Sequence, residues 1–153
     1  MTKQEAIDKA IAYFSEGYAC SQSVAMAFAP EFGADIDTVS TMSASFGGGM
    51  GRLRGKCGAV TGSFMVLGLA AGKFAPKDMD AKLALYKKVQ DMNGAIVNIY
   101  GTAECGELLK KKVSKEQVEE RAHHKIVCTG LIADSVSALY DILYGDDSNV
   151  ASE

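Results

Sequence analysis

Residues 79–100, MDAKLALYKKVQDMNGAIVNIY, decide the fold class. Leu85, Val89, Met92, Ile96 and Ile99 step by fours and threes, the spacing of one helix face and a seam for packing against another helix. Gly101 stands where such a helix would end. The spacing predicts a long helix from Met79 to Tyr100.

The same period recurs on both sides of this stretch, and sustained period-2 alternation is found nowhere, so the chain reads as all-α. We expect a single-domain bundle of about five to seven helices over residues 1–144 and a disordered acidic tail over 145–153. Thr2 and Glu5 make a capping box for a first helix, about Lys3 to Glu16, with Ile7, Ala10, Ile11 and Phe14 as its buried stripe. A second helix begins at Cys20 or Ser21 and carries Val24, Ala25 and Phe28 towards Pro30. A third follows Asp37, with Val39 and Met42 inward, and dissolves into the run Gly47–Gly51. The fourth runs from Cys57 to Gly72. Its Gly58 and Gly62 lie four apart and bare the backbone on one face, so a neighbouring helix can come close. Cys105 opens a short turn to Leu109. Lys110-Lys111-Lys112 is a solvated connector, and Ser114 with Gln117 makes a second capping box. The last helix reaches about Tyr144, with a break expected near His124. Cys128, Ile132, Ser135, Leu139 and Ile142 share one of its faces.

At 153 residues and 48% hydrophobic composition, the chain can build a core without disulfides. A net charge of −3 lacks the basic excess of a nucleic-acid footprint. The polar start, Met1-Thr2-Lys3-Gln4-Glu5, does not resemble a signal peptide, and the apolar run from Cys57 to Gly72 falls short of the roughly 20 residues a membrane span needs. We therefore expect a cytoplasmic protein without nucleic-acid or membrane partners. A homodimer is expected through the Leu85–Ile99 seam.

The four cysteines, Cys20, Cys57, Cys105 and Cys128, are far apart in sequence and form no CxxC. In the reducing cytoplasm such thiols serve as redox groups or metal ligands more often than as bridges. Three of them stand at expected helix starts, and Cys128 lies within a helix facing the core. A helix N-terminus favours an anion, and Arg52, Arg54 and Lys56 precede Cys57, so its pKa is expected below the free value of about 8.5. Four thiolates are the ligand set of an iron–sulfur cluster or a tetrahedral zinc, if the four converge. Each could instead fill the core as a small hydrophobe. His124, one turn before Cys128, is expected at the surface, and Asp134 as a packing partner.

Cys20, the box Cys57-Gly58-Ala59-Val60-Thr61-Gly62, Cys105 and Cys128, led by Phe46-Gly47-Gly48-Gly49-Met50-Gly51-Arg52, together resemble the C_GCAxxG_C_C redox-active family over nearly the whole chain. The box departs from the family name at one point, since Lys56 rather than glycine precedes Cys57. The resemblance implies a small helical protein with a redox role, without specifying a reaction. The absence of CxxCH excludes a c-type haem.

Three functions follow as expectations. The first is an iron–sulfur cluster or other metal centre held by Cys20, Cys57, Cys105 and Cys128. Gly58 and Gly62 would let backbone approach it, and it would serve electron transfer or redox sensing with a partner protein. The second is a thiol–disulfide oxidoreductase with Cys57 as low-pKa nucleophile. The third is phosphate or nucleotide binding by the glycine-rich loop at the start of the fourth helix.

Overall fold

The computed structural model describes residues 1–110 and 120–145. The helices are α1 (Lys3–Ser15), α2 (Cys20–Phe28), α3 (Ile36–Ser43), α5 (Gly58–Ala71), α6 (Met79–Tyr100), α7 (Cys105–Leu109) and α8 (Glu120–Tyr144). Between α3 and α5 lies α4 (Gly47–Met50), a single turn that is left-handed at Gly48 and Gly49. No strand occurs among the described residues, and the protein is an all-α bundle.

α2 is the hub. Its residues are small or apolar and carry no charge, so it can lie inside: all but Gln22 are buried. The polar groups it takes inside are satisfied, with Ser21 Oγ donating to Ser43 O at 2.7 Å and Ser23 Oγ to Ala19 O at 2.8 Å. α1, α3, α5 and α8 pack around it. α5 and α6 lie side by side, and α8 closes the bundle against α1, α5 and α6. The core holds Val24, Phe28, Val60, Leu67, Met92, Ile96, Leu131, Ile132 and Leu139.

Side-chain oxygens fix the helix starts. Thr2 Oγ1 accepts from the Glu5 amide, Asp35 Oδ2 from Thr38 and Asp78 Oδ1 from Ala81, at 3.1, 2.9 and 3.0 Å. At the far end of the bundle, Tyr140 Oη donates to Met1 O, and Lys3 pairs with Asp141. Tyr100 Oη donates to Asp134, joining α6 to α8.

Several expectations need correction. α3 starts at Ile36, capped by Asp35, and its Met42 is 67% exposed rather than inward. Val39, on the same face, is half-buried. Ile99, at the end of the α6 seam, is 56% exposed. The rest of that seam packs within this chain, with Met92 and Ile96 buried and Leu85 and Val89 partly so. α1 buries Ala6 and Ala10 most completely, with Ile7, Ile11 and Phe14 at the margin. α8 runs unbroken past His124, and over Ala122–Tyr144 it is long and apolar enough to cross a membrane. Core helices share that property, and here the helix carries buried Leu131, Ile132, Val136 and Leu139. The second capping box at Ser114 and the tail beyond Gly145 lie outside the described residues.

Gly62 sets the separation of α5 from α2. A Cβ there would stand 2.6 Å from Ser21 O, a backbone atom that cannot swing away. Gly68 on the same helix has nothing within 4 Å of its would-be Cβ. Gly62→Ala is therefore expected to destabilise the protein by about 1–3 kcal/mol through overpacking. Gly68→Ala should stabilise it by about 0.5–1 kcal/mol through helix propensity. Urea unfolding of the two variants beside the parent checks both signs.

Candidate functional site

Four separate elements bring one cysteine each to a single place. Cys20 is the first residue of α2, Cys57 caps the start of α5, Cys105 is the first residue of α7, and Cys128 lies within α8. All four line one cavity of about 50 Å³, together with Arg54, Gly58, His124, Leu108 and Leu131 among others. All four thiols are free. Cys20, Cys57 and Cys105 are buried, and Cys128 is half-buried.

Local backbone geometry explains the convergence. Gly58 follows Cys57, and a Cβ on it would stand 2.4 Å from Cys20 Sγ. Only glycine lets the start of α5 come so near this thiol. Cys57 and Cys105 are joined by a short antiparallel crossing at Lys56 and Glu104. The Cys57 amide donates to Ala103 O at 2.8 Å, and the Cys105 amide to Gly55 O at 2.6 Å. Lys56 is drawn away from the thiols, with its Nζ donating to Asn93 Oδ1 at 2.8 Å.

The glycine run forms the remaining wall. Residues 48 to 52 all have positive φ: 69° at Gly48, 68° at Gly49, 68° at Met50, 60° at Gly51 and 66° at Arg52. Arg54 follows at 62°. L-residues seldom string left-handed conformations together, and the glycines at 48, 49 and 51 make this turn attainable. At Gly49 the requirement is doubled, because a Cβ would stand 2.5 Å from Cys105 Cβ. The turn aims the Gly48 amide at the Cys20 sulfur and brings Arg54 Nη1 to 3.5 Å from Cys105 Sγ.

The electrostatics reverse one expectation. Burial pushes the Cys57 thiol up to about 12, and neighbouring Cys20 adds to the rise. The amides of Ala59 and Val60 pull the other way, as a helix start should, and are outweighed. Arg52, Arg54 and Lys56 do not activate Cys57: Arg54 serves Cys105 and Cys128, and Lys56 is engaged by Asn93. The shift of Cys57 is therefore upward, against the lowering expected from the helix start and its basic neighbours. Burial likewise carries Cys128 to about 12, with Cys20 and Cys105 adding and Arg54 opposing. Cys20 is raised by burial, against the amides of Gly48 and Ser21. The amides of Ala59 and Val60, in the first turn of α5, are turned to the Cys57 sulfur.

Gly62 lies outside the cavity lining and acts through the α2–α5 approach. Asp134 is the acceptor for Tyr100. His124, expected at the surface, lines the cavity, while His123 Nε2 lies 2.9 Å from Leu109 O. The apolar lids Leu108 and Leu131 had no signal in the sequence beyond their hydrophobicity.

Among the described residues no three His, Cys, Asp or Glu side chains form a group that could hold a metal ion. A tetrahedral zinc needs sulfurs gathered at about 2.3 Å from one point. The four thiols line a void larger than one water, which takes about 10–15 Å³. Glycine backbone and apolar side chains complete its wall.

A family profile described as "Putative redox-active protein (C_GCAxxG_C_C)" matches residues 18–142, a span that includes all four cysteines. No curated protein and no solved structure matches the chain.

The raised thiols tie stability to pH. Keeping Cys57 and Cys128 protonated contributes stability that is fully present below their unfolded value, 9.0, and is lost as pH rises towards about 12. The urea midpoint of metal-free protein should therefore fall between about pH 8 and about pH 10.5. The fall should be smaller in Cys57→Ala. An equal fall in both proteins would show that this thiol is not the source.

Proposed function

The chain belongs to the C_GCAxxG_C_C family, and we propose that Cys20, Cys57, Cys105 and Cys128 together bind an iron–sulfur cluster used for electron transfer or redox sensing. One observation carries the reading: four free thiols from four separate elements ring a single sheltered cavity. Their burial supports it as well. Four neighbouring thiolates cannot share a desolvated site without a compensating cation, and a bound metal centre inverts that balance by holding its thiols deprotonated.

Bound there, such a cluster supplies one-electron transfer. The protein's residues hold it and set its potential. The amides of Gly48, Ala59 and Val60, aimed at the Cys20 and Cys57 sulfurs, stabilise negative charge. Arg54 does the same at Cys105. Leu108 and Leu131 keep water from the centre. In this reading the protein works in the cytoplasm and exchanges electrons with a redox partner protein.

Thiol–disulfide exchange is the weaker reading, because its nucleophile would have to be a buried thiol with its pKa raised.

Anaerobic purification and reconstitution with iron and sulfide test the proposal by absorption spectrum, iron and sulfide content, and thiol count. We expect a coloured protein with all four thiols protected from alkylation. Serine at any of the four positions should cut iron content. Gly58→Ala should do so while keeping every ligand, since its Cβ competes with Cys20 Sγ for space. A colourless protein that still shows four free thiols after reconstitution would sink the reading.

A further inference from the structure

Five residues of the sulfur-lined cavity, Cys20, Gly48, Arg54, His124 and Cys128, also line an open recess of about 500 Å³. A second recess of about 410 Å³ adjoins it and shares Phe14, Ala19, Arg52, His124 and Cys128. Arg52 and Arg54 come from the left-handed turn, and His124 and Lys125 come from α8. Among the described residues, neither recess is lined by an aspartate or a glutamate. Among the described residues no carboxylate forms a salt bridge with Arg52, Arg54 or Lys125. The chain as a whole carries −3, so this concentration of positive charge is local. A concave wall of one sign focuses potential and concentrates counter-ions.

The backbone is strained to produce this arrangement. Arg52 and Arg54 have φ of 66° and 62°, in a region long side chains rarely occupy. Both pack over Gly48, where an added Cβ would stand 3.0 Å from Arg52 Cγ and 3.9 Å from Arg54 Nη1.

We propose that the two adjoining recesses together bind a small anion bearing carboxylate or oxyanion oxygens, held by Arg52, which lines both, with Arg54 from the first and Lys125 from the second, and with Cys128 in the wall of each. The inference rests on the redox-centre reading for its purpose, since it names the class of molecule that would meet the centre. The anion site itself stands on charge and shape. The volumes fall within the range of small-ligand sites, about 300–1,000 Å³, and the concave form suits a small molecule better than a protein surface. Phe14 and Tyr18 supply apolar walling for its non-ionic part.

Full-length protein is prepared anaerobically, with iron, sulfide and thiols counted on every sample, and titrated calorimetrically with inorganic phosphate and with malonate. At least one should bind stoichiometrically and weaken as salt is added. The double variant Arg52→Gly, Lys125→Gln should weaken it by about tenfold or more. Glycine suits the backbone at position 52, so thermal unfolding no lower than the parent's and unchanged iron content serve as the folding control. A second measurement compares iodoacetate with iodoacetamide as alkylators of Cys128 in metal-free protein. Both reagents need the thiolate, so the ratio of their rates cancels the thiol's pKa. The recess should raise that ratio above its value in urea-unfolded protein, and the double variant should bring it back. No binding of either anion up to about 20 mM, with the same ratio folded and unfolded, overturns the site. If that result comes from iron-loaded protein, the redox centre stands and only this inference falls. Anion binding by protein that takes up no iron has the opposite meaning.

Discussion

The close approach of α5 to α2 is the constraint on which the site depends. Two glycines on one face of α5 make it possible, Gly62 against the Ser21 carbonyl and Gly58 against the Cys20 sulfur. Bringing the two helix starts together sets Cys57 beside Cys20. The same approach explains the composition of α2, since a helix met this closely on several sides must be built from small and uncharged residues. Its serines are tolerated inside because each returns its hydroxyl to a backbone carbonyl. A side chain at position 62 would separate the helices and move the thiols with them. The thiol-lined cavity is therefore made by the packing of the core rather than added to its surface, and stability and site geometry draw on the same contacts.

The second pair of thiols is positioned by backbone pairing and by helix length. The antiparallel crossing at Lys56 and Glu104 holds the Cys57 and Cys105 strands of chain in fixed register through reciprocal amide bonds. α8 reaches the cavity because it continues without a break through His124 and Cys128. Among the described residues, Arg54 is the cation that contacts a sulfur. One guanidinium cannot neutralise four buried thiolates, and the amides of Gly48, Ala59 and Val60 contribute only partial charges. Without a further cation the thiols stay protonated. With a metal centre the amides and Arg54 become stabilising partners of the ligands. In the proposed reading, the same residues would suit both protonated thiols and a bound metal centre.

Much of this was legible in the sequence because it follows from local rules. The α6 pattern, the Thr2 cap, the glycine stop at Gly101 and the three cysteines at helix starts depend on neighbours along the chain, and the structure places them as read. What could not be read depends on neighbours in space. The pKa of Cys57 was expected to fall because helix start and basic residues are visible in sequence. Burial is not visible there, and burial decides the sign. Met42 and Ile99 satisfy helical spacing but lie where no neighbouring helix covers them. His124 joins the cavity only because α8 stays straight. The approach of Gly62 to α2 was implicit in the small-residue spacing, although the identity of the partner helix was not.

The left-handed turn separates what the backbone requires from what the side chains do. If residues 48–54 had only to bend, glycine would be the least strained choice at every positive-φ position. The chain uses glycine at 48, 49 and 51, where the turn meets Cys20, Cys105 and its own backbone, and spends strain of about 1–3 kcal/mol each on Met50, Arg52 and Arg54. Such strain persists only where surrounding contacts over-determine it, and here they do. The Gly51, Leu53 and Gly55 amides bond back to Gly47, Met50 and Gly49. Arg54 accounts for its own strain by reaching Cys105. Arg52 contacts no sulfur and lines only the open recesses. Its strained backbone is explained if the guanidinium is needed there, facing whatever enters from solvent rather than the centre below.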